Sequence, residues 1–128
     1  MKNLLILCGF LACTVSLLGQ DSKNLPDYEK GSWLFHACKA DVRNMDSSNG
    51  GEVADLDLAN ECLDYFGGFS EALLLKKSTL CTGNASIGTM VRVYVDYMEK
   101  HPKLLDEHRG IGLFISLTEN YPCAKSSK

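Results

Sequence analysis

Apolar residues open the chain uninterrupted by charge from Leu4 to Leu18, and further along they return at intervals of three and four. Those intervals predict helices. Ser32 offers a cap for a first helix that ends near Arg43 and aligns Trp33, Leu34, Ala37, Cys38 and Val42. Asp57 offers a cap for a second, which reaches about Lys77 with Leu58, Cys62, Tyr65, Phe66, Phe69, Leu73 and Lys76 along its turns. Gly67 and Gly68 fall in its middle, where each costs about 1 kcal/mol relative to Ala, so the expectation is that a neighbouring helix approaches closely there. Ser86 caps a third helix with Ile87, Met90, Val91, Tyr94, Val95 and Met98 inward. Val91, Val93 and Val95 also alternate as a strand would, but Arg92 and Asp96 suit the helical period better. Pro102 stops this helix at His101 by disfavouring the α region for the residue before it. A last helix runs from about Leu105 to Asn120 with Ile111, Phe114, Ile115 and Leu117 inward, and Pro122 and Cys123 close it.

The polar stretches between these helices set the organisation. Residues 20–31, with Pro26 and Gly31, read as a flexible leader, and residues 124–128 as a loose tail. From Asn44 to Leu56 the chain turns to Asn, Asp, Ser, Gly and Glu around Gly50 and Gly51, the pattern of a long mobile loop. Thr82, Gly83, Asn84 and Ala85 read as a turn. There is no internal repeat, heptad pattern or low-complexity tract. The expected fold is all-α: a single-domain bundle of about four helices over residues 32–123.

Lys2, the 15-residue apolar run and the small or polar Gly19 and Gln20 together describe a secretory signal peptide over residues 1–19. The run is short of the roughly 20 residues that span a bilayer. Cys13 follows Leu11 and Ala12, which offers lipid attachment as an alternative, although Phe10 stands where a Leu is usual. Membrane association is expected only with that lipid. Cleavage after Gly19 leaves 109 residues, enough for one core, and moves the net charge from −3 to −4. Mild acidity argues against nucleic acid and anionic lipid and permits a basic protein partner.

Processing also removes Cys8 and leaves Cys38, Cys62, Cys81 and Cys123, an even set that reads as a disulfide framework in an exported domain. Three pairings exist, and the working one joins Cys38 to Cys62 and Cys81 to Cys123. Spacings of 24, 19 and 42 residues contain no C-x-x-C, so no short chelating pair supports a structural metal. An even set also leaves no free thiol for nucleophilic catalysis.

Other catalytic sets are missing as well. His36, His101 and His108 stand in no metal or triad spacing and read as surface or helix-end residues. Neither a metal nor a cofactor is expected. The carboxylates are scattered, but Asp46, Glu52, Asp55 and Asp57 concentrate negative charge in and beside the long loop, where a basic cleft on a partner would meet them. Asn84-Ala85-Ser86 is a glycosylation sequon, without meaning in a bacterial protein.

With the cysteines and their surroundings in view, the chain resembles the Rap/Tai family of immunity proteins that protect bacteria from type VI secretion amidase effectors. The resemblance covers about residues 31–123. It rests on Gly31, Leu34 and Cys38; on Cys62, Leu63, Tyr65, Gly68 and Ala72; on Cys81; on Val91, Val95, Tyr97 and Met98 ahead of His101 and Pro102; and on Pro122 and Cys123. Family members commonly carry Pro after the third cysteine, where this chain has Thr82 and Gly83, and often Gln where Thr89 stands. The resemblance implies a periplasmic, non-enzymatic helical protein, often a homodimer, that blocks the active-site cleft of a peptidoglycan-cleaving amidase. Combined with loop exposure, it points to Asp46, Glu52, Asp55, Thr82, Gly83, Asn84 and Ser86 as the contact surface. Two other readings remain beside it: a small periplasmic chaperone with an exposed apolar patch, and a lysozyme-like hydrolase with paired carboxylates in a cleft.

Overall fold

The computed structural model describes residues 25–48, 52–75 and 80–124. The apolar N-terminal run, expected to be a signal peptide, with Cys8 and Cys13, the pair Gly50 and Gly51, Lys76 and the last four residues lie outside them. Four helices make up the fold: α1 (Gly31–Asp46), α2 (Val53–Leu75), α3 (Ile87–Lys100) and α4 (Arg109–Asn120). Short 3₁₀ turns precede α1 at Asp27–Glu29 and α4 at Pro102–Asp106. Among the described residues there is no strand, only two isolated bridges, Lys30 with His108 and Leu80 with Pro122. The protein is an all-α bundle, and its disulfides join Cys38 to Cys62 and Cys81 to Cys123.

Packing follows from the helical stripes. Leu34, Ala37 and Cys38 of α1 meet Cys62 and Phe66 of α2; Met90, Val91, Tyr94, Val95 and Met98 of α3 and Leu113 and Leu117 of α4 complete one core. Cys38 and Cys62 are both fully buried, so the first disulfide stitches α1 to α2 inside the core. Phe66 sets its ring edge to face against Tyr94 at 5.8 Å, and its full burial stabilises by about 1.5–3 kcal/mol. The second disulfide lies at the surface. It ties the segment before α3 to the chain after α4, beside the Cys81 N–H that donates to Tyr121 O at 3.0 Å.

Several helix ends differ from expectation, each through a tertiary contact. Ser32 is not the cap of α1, because the helix begins one residue earlier, with Lys30 in the N-cap position and no side-chain cap bond. The Gly31 N–H is satisfied instead by Glu107 O at 2.8 Å. A Cβ on Gly31 would run into the Leu104 carbonyl oxygen, which is why glycine stands where the two segments touch. The leader, described from Leu25 onward, is packed: Leu25 is buried, and Asp27 accepts a hydrogen bond from Lys30 Nζ at 2.8 Å. α1 runs on to Asp46 and α2 starts at Val53, so both ends of the expected 44–56 loop are helical.

The inward face of α4 is also turned. Gly112, Leu113, Ser116 and Leu117 are buried, whereas Ile111 and Phe114 are 42% and 46% exposed. Small residues decide this: Met98 Sδ lies 2.7 Å from where a Cβ on Gly112 would stand, and Ser116 satisfies its own hydroxyl on Leu113 O at 2.9 Å. The close approach expected at Gly67 and Gly68 is therefore found between α3 and α4. A Cβ on either of those α2 glycines would meet nothing within 4 Å.

Candidate functional site

The acidic segment and the 82–86 turn are far apart in sequence but share one end of the bundle. Two helices bring them together. Asp46, the last residue of α1, accepts hydrogen bonds from both terminal nitrogens of Arg92 on α3, at 2.6 and 3.3 Å. Its neighbour Met45 places Sδ 2.9 Å from the position of a Cβ on Gly88, in the first turn of α3. Asp55, in the first turn of α2, is gripped by Arg43 of α1 through Nε at 2.8 Å and Nη2 at 2.7 Å. The ends of α1, α2 and α3 are thus tied by two bidentate ion pairs, which also hold Asn44–Asp46 and Val53–Leu56 helical against their turn-forming composition.

These pairs change what the acidic residues offer a partner. The Arg92 hydrogen bond holds the Asp46 carboxyl below the ordinary carboxylate range, and the Arg43 hydrogen bond does the same for Asp55. Both stay ionised, but their charge is met within the chain, so Asp46 and Asp55 present mixed charge where a purely acidic loop was expected. Glu52 is exposed, and its carbonyl accepts the Asp55 and Leu56 N–H groups at 2.9 and 3.1 Å, which opens α2.

The turn is built by local hydrogen bonds. Ala85 N–H donates to Thr82 O at 3.0 Å, and Gly83 takes a positive φ of 57°, which a side chain would resist. Ser86 Oγ accepts from Thr89 N–H at 3.2 Å and caps α3. Gly83, Asn84 and Ser86 are exposed and Thr82 is half-buried. The residues singled out from sequence are therefore all at the surface of the same end.

Apolar residues there were missed by the sequence reading. Met45, Val53, Leu56 and Ile87 are 40%, 77%, 46% and 38% exposed. Ile87, expected inward, is the first residue of α3 and projects beyond the core. Exposed apolar residues beside ion pairs match the composition of an interface, where desolvation of apolar groups supplies affinity and the charges set register. The signal available in the sequence was the apolar flank of each polar segment, read there as loop or core.

Among the described residues no three His, Cys, Asp or Glu side chains gather as a metal site would. His101 Nδ1–H donates to Tyr97 O at 2.8 Å and its ring stacks on Tyr97, while His108 Nδ1 accepts from the Gly110 N–H and caps α4. A recess of about 280 Å³ on α2 is lined by Asp64, Tyr65, Gly68 and Phe69. No helix of the described residues is long and apolar enough to cross a membrane. Two disulfides are the mark of an oxidising compartment reached by export.

Comparison with known proteins gives one result. Neither curated proteins nor solved structures provide a match. A family model describing Rap1a immunity proteins matches residues 30–123, from the N-cap of α1 to the last cysteine. The chain belongs to the Rap1a immunity protein family.

Proposed function

We propose that this protein is a periplasmic immunity protein that binds a peptidoglycan-cleaving amidase effector and blocks its active site by occlusion. The family match over residues 30–123 carries the reading: immunity proteins of this kind act on a secreted protein effector. Two features of the fold support it. The core and inner disulfide hold α1 and α2 rigidly, and the α1, α2 and α3 ends offer a built surface of Met45, Val53, Leu56 and Ile87 between ion pairs. Asp46, Glu52, Asp55, Thr82, Gly83, Asn84 and Ser86 surround it as the polar rim. A rigid protein that fills a groove needs no catalysis of its own.

The test is capture of partners from the secreted fraction of the source organism on the oxidised protein, followed by a cell-wall digestion assay. One dominant wall-cleaving partner should lose activity at stoichiometric addition. A pair-swapped variant, Asp46→Arg with Arg92→Asp, keeps the ion pair but inverts the rim; it removes the Arg92 charge from Asp41 and Asp96, so it is compared where its melting curve shows it folded, and there it should protect less well. Full activity in the presence of excess protein would refute the reading, and unchanged protection by the swapped variant would move the contact elsewhere.

A further inference from the structure

A second surface lies where α3, the 3₁₀ turn and α4 meet. There a groove of about 400 Å³ is floored by Pro102, Leu104 and Ile115 and walled by the stacked rings of Tyr97 and His101. The outer face of α4 continues it with Ile111, four residues before Ile115, and Phe114, three residues after Ile111. This is the face that the helical period assigned to the core and that packing turned outward.

Charge singles the groove out. The described lysines and arginines elsewhere are engaged: Lys30 with Asp27, Lys39 with Glu99, Arg43 with Asp55 and Arg92 with Asp46, while Arg109 sits between the rings of Trp33 and Tyr65. Lys100 and Lys103 make none of these pairings, and both line the groove. Glu119 is hydrogen-bonded by the Tyr97 hydroxyl, and Glu99 is paired with Lys39. On a chain of net charge −3, the lining of this apolar groove carries two lysines and no carboxylate.

We propose that this groove docks an acidic segment of a protein partner, a segment that places an apolar side chain on Leu104 and Ile115 and carboxylates against Lys100 and Lys103. It is a site separate from the α1, α2 and α3 ends and does not depend on their role. The apolar floor supplies affinity by desolvation, and the lysines select against basic and neutral sequences by leaving them without compensating charge.

The experiment is selection of a random linear peptide library on the oxidised protein, with the selected peptides mapped by amide chemical-shift perturbation. The expected result is an enriched motif of an apolar residue flanked by Asp or Glu, with shifts at Tyr97, His101 and Ile115. Binding should weaken with salt and fall at least about tenfold in the Lys100→Glu, Lys103→Glu variant. Both lysines are exposed, so an unchanged circular dichroism spectrum and melting temperature will confirm that the variant folds. Selected motifs without acids, shifts confined to another face, or equal binding by the reversed variant would overturn the proposal. So would capture on phosphatidylglycerol vesicles through the same lysines without peptide binding, or self-association that buries Ile111 and Phe114.

Discussion

The two disulfides brace the fold for different physical reasons, and replacing each pair by alanine separates them. Closing the 24-residue separation of Cys38 and Cys62 removes about 3.5 kcal/mol of chain entropy from the unfolded state, and the 42-residue separation of Cys81 and Cys123 about 4 kcal/mol. Chain entropy alone therefore ranks the outer bond higher. Packing reverses the order, because Cys38 and Cys62 are fully buried among Leu34, Phe66 and Tyr94, whereas Cys81 is exposed. Deleting two buried sulfurs leaves a cavity that costs about 1–2 kcal/mol more, so the inner double variant should lose about 5 kcal/mol and the outer about 4. Urea unfolding at neutral pH measures both, read from midpoints with the slope checked for change. Against a total of about 5–15 kcal/mol, either loss is large. An outer variant that loses as much as the inner, or more, would refute the packing argument. Mild reductant gives an independent reading: the exposed outer bond should open first.

The remaining predictions concern single positions. Gly68→Ala should raise stability by about 0.5–1 kcal/mol, since the added methyl meets open space, while Gly31→Ala should lower it by about 1–3 kcal/mol against the Leu104 carbonyl; thermal melts decide both. The stability contributed by the Asp46–Arg92 and Asp55–Arg43 pairs should be complete above about pH 4 and be lost as pH falls through the depressed carboxylate values, and Arg43→Gln should flatten that part of a melting-temperature profile. Asp41 works in the opposite sense. It is 5% exposed with Oδ2 unpartnered, burial raises its pKa although Arg92 partly offsets this, and the favourable protonated state is lost as pH rises through the raised value. Asp41→Asn should therefore be more stable than the parent at neutral pH and converge with it in acid; a variant less stable at neutral pH would show that the carboxylate has a partner there.

Sequence and structure agree best where a signal is local or covalent. The helix period placed Leu34, Ala37 and Cys38 on one stripe and Met90, Val91, Tyr94, Val95 and Met98 on another, and Ser86 announced its helix by a hydrogen bond three residues long. The even cysteine set announced the crosslinks, and the order of cysteines, His101-Pro102 and Pro122-Cys123 announced the family. What failed was any feature set by a distant partner. Asn44–Asp46 composition says loop, but Arg92 and Gly88, more than forty residues on, keep it helical. The acidic residues read as an open negative surface, yet Arg43 and Arg92 close on two of them.

Helix orientation was decided the same way. Ile111, Phe114 and Ile115 have the stronger hydrophobic claim to the core, but Gly112 and Ser116 allow α4 to sit closer to α3, and the better-packed contact won. Periodicity tells which residues share a face; it does not tell which face meets a neighbour when a small-residue face competes with a large one. The sequence by itself determined the helical class, the presence of a disulfide framework and the family, because these depend on neighbours along the chain or on the number and order of like residues, while the choice among three cysteine pairings was left to the packed structure. Only the tertiary structure decided which charges are spent inside the molecule and which apolar faces are left for a partner, because both depend on contacts that close once the helices have packed.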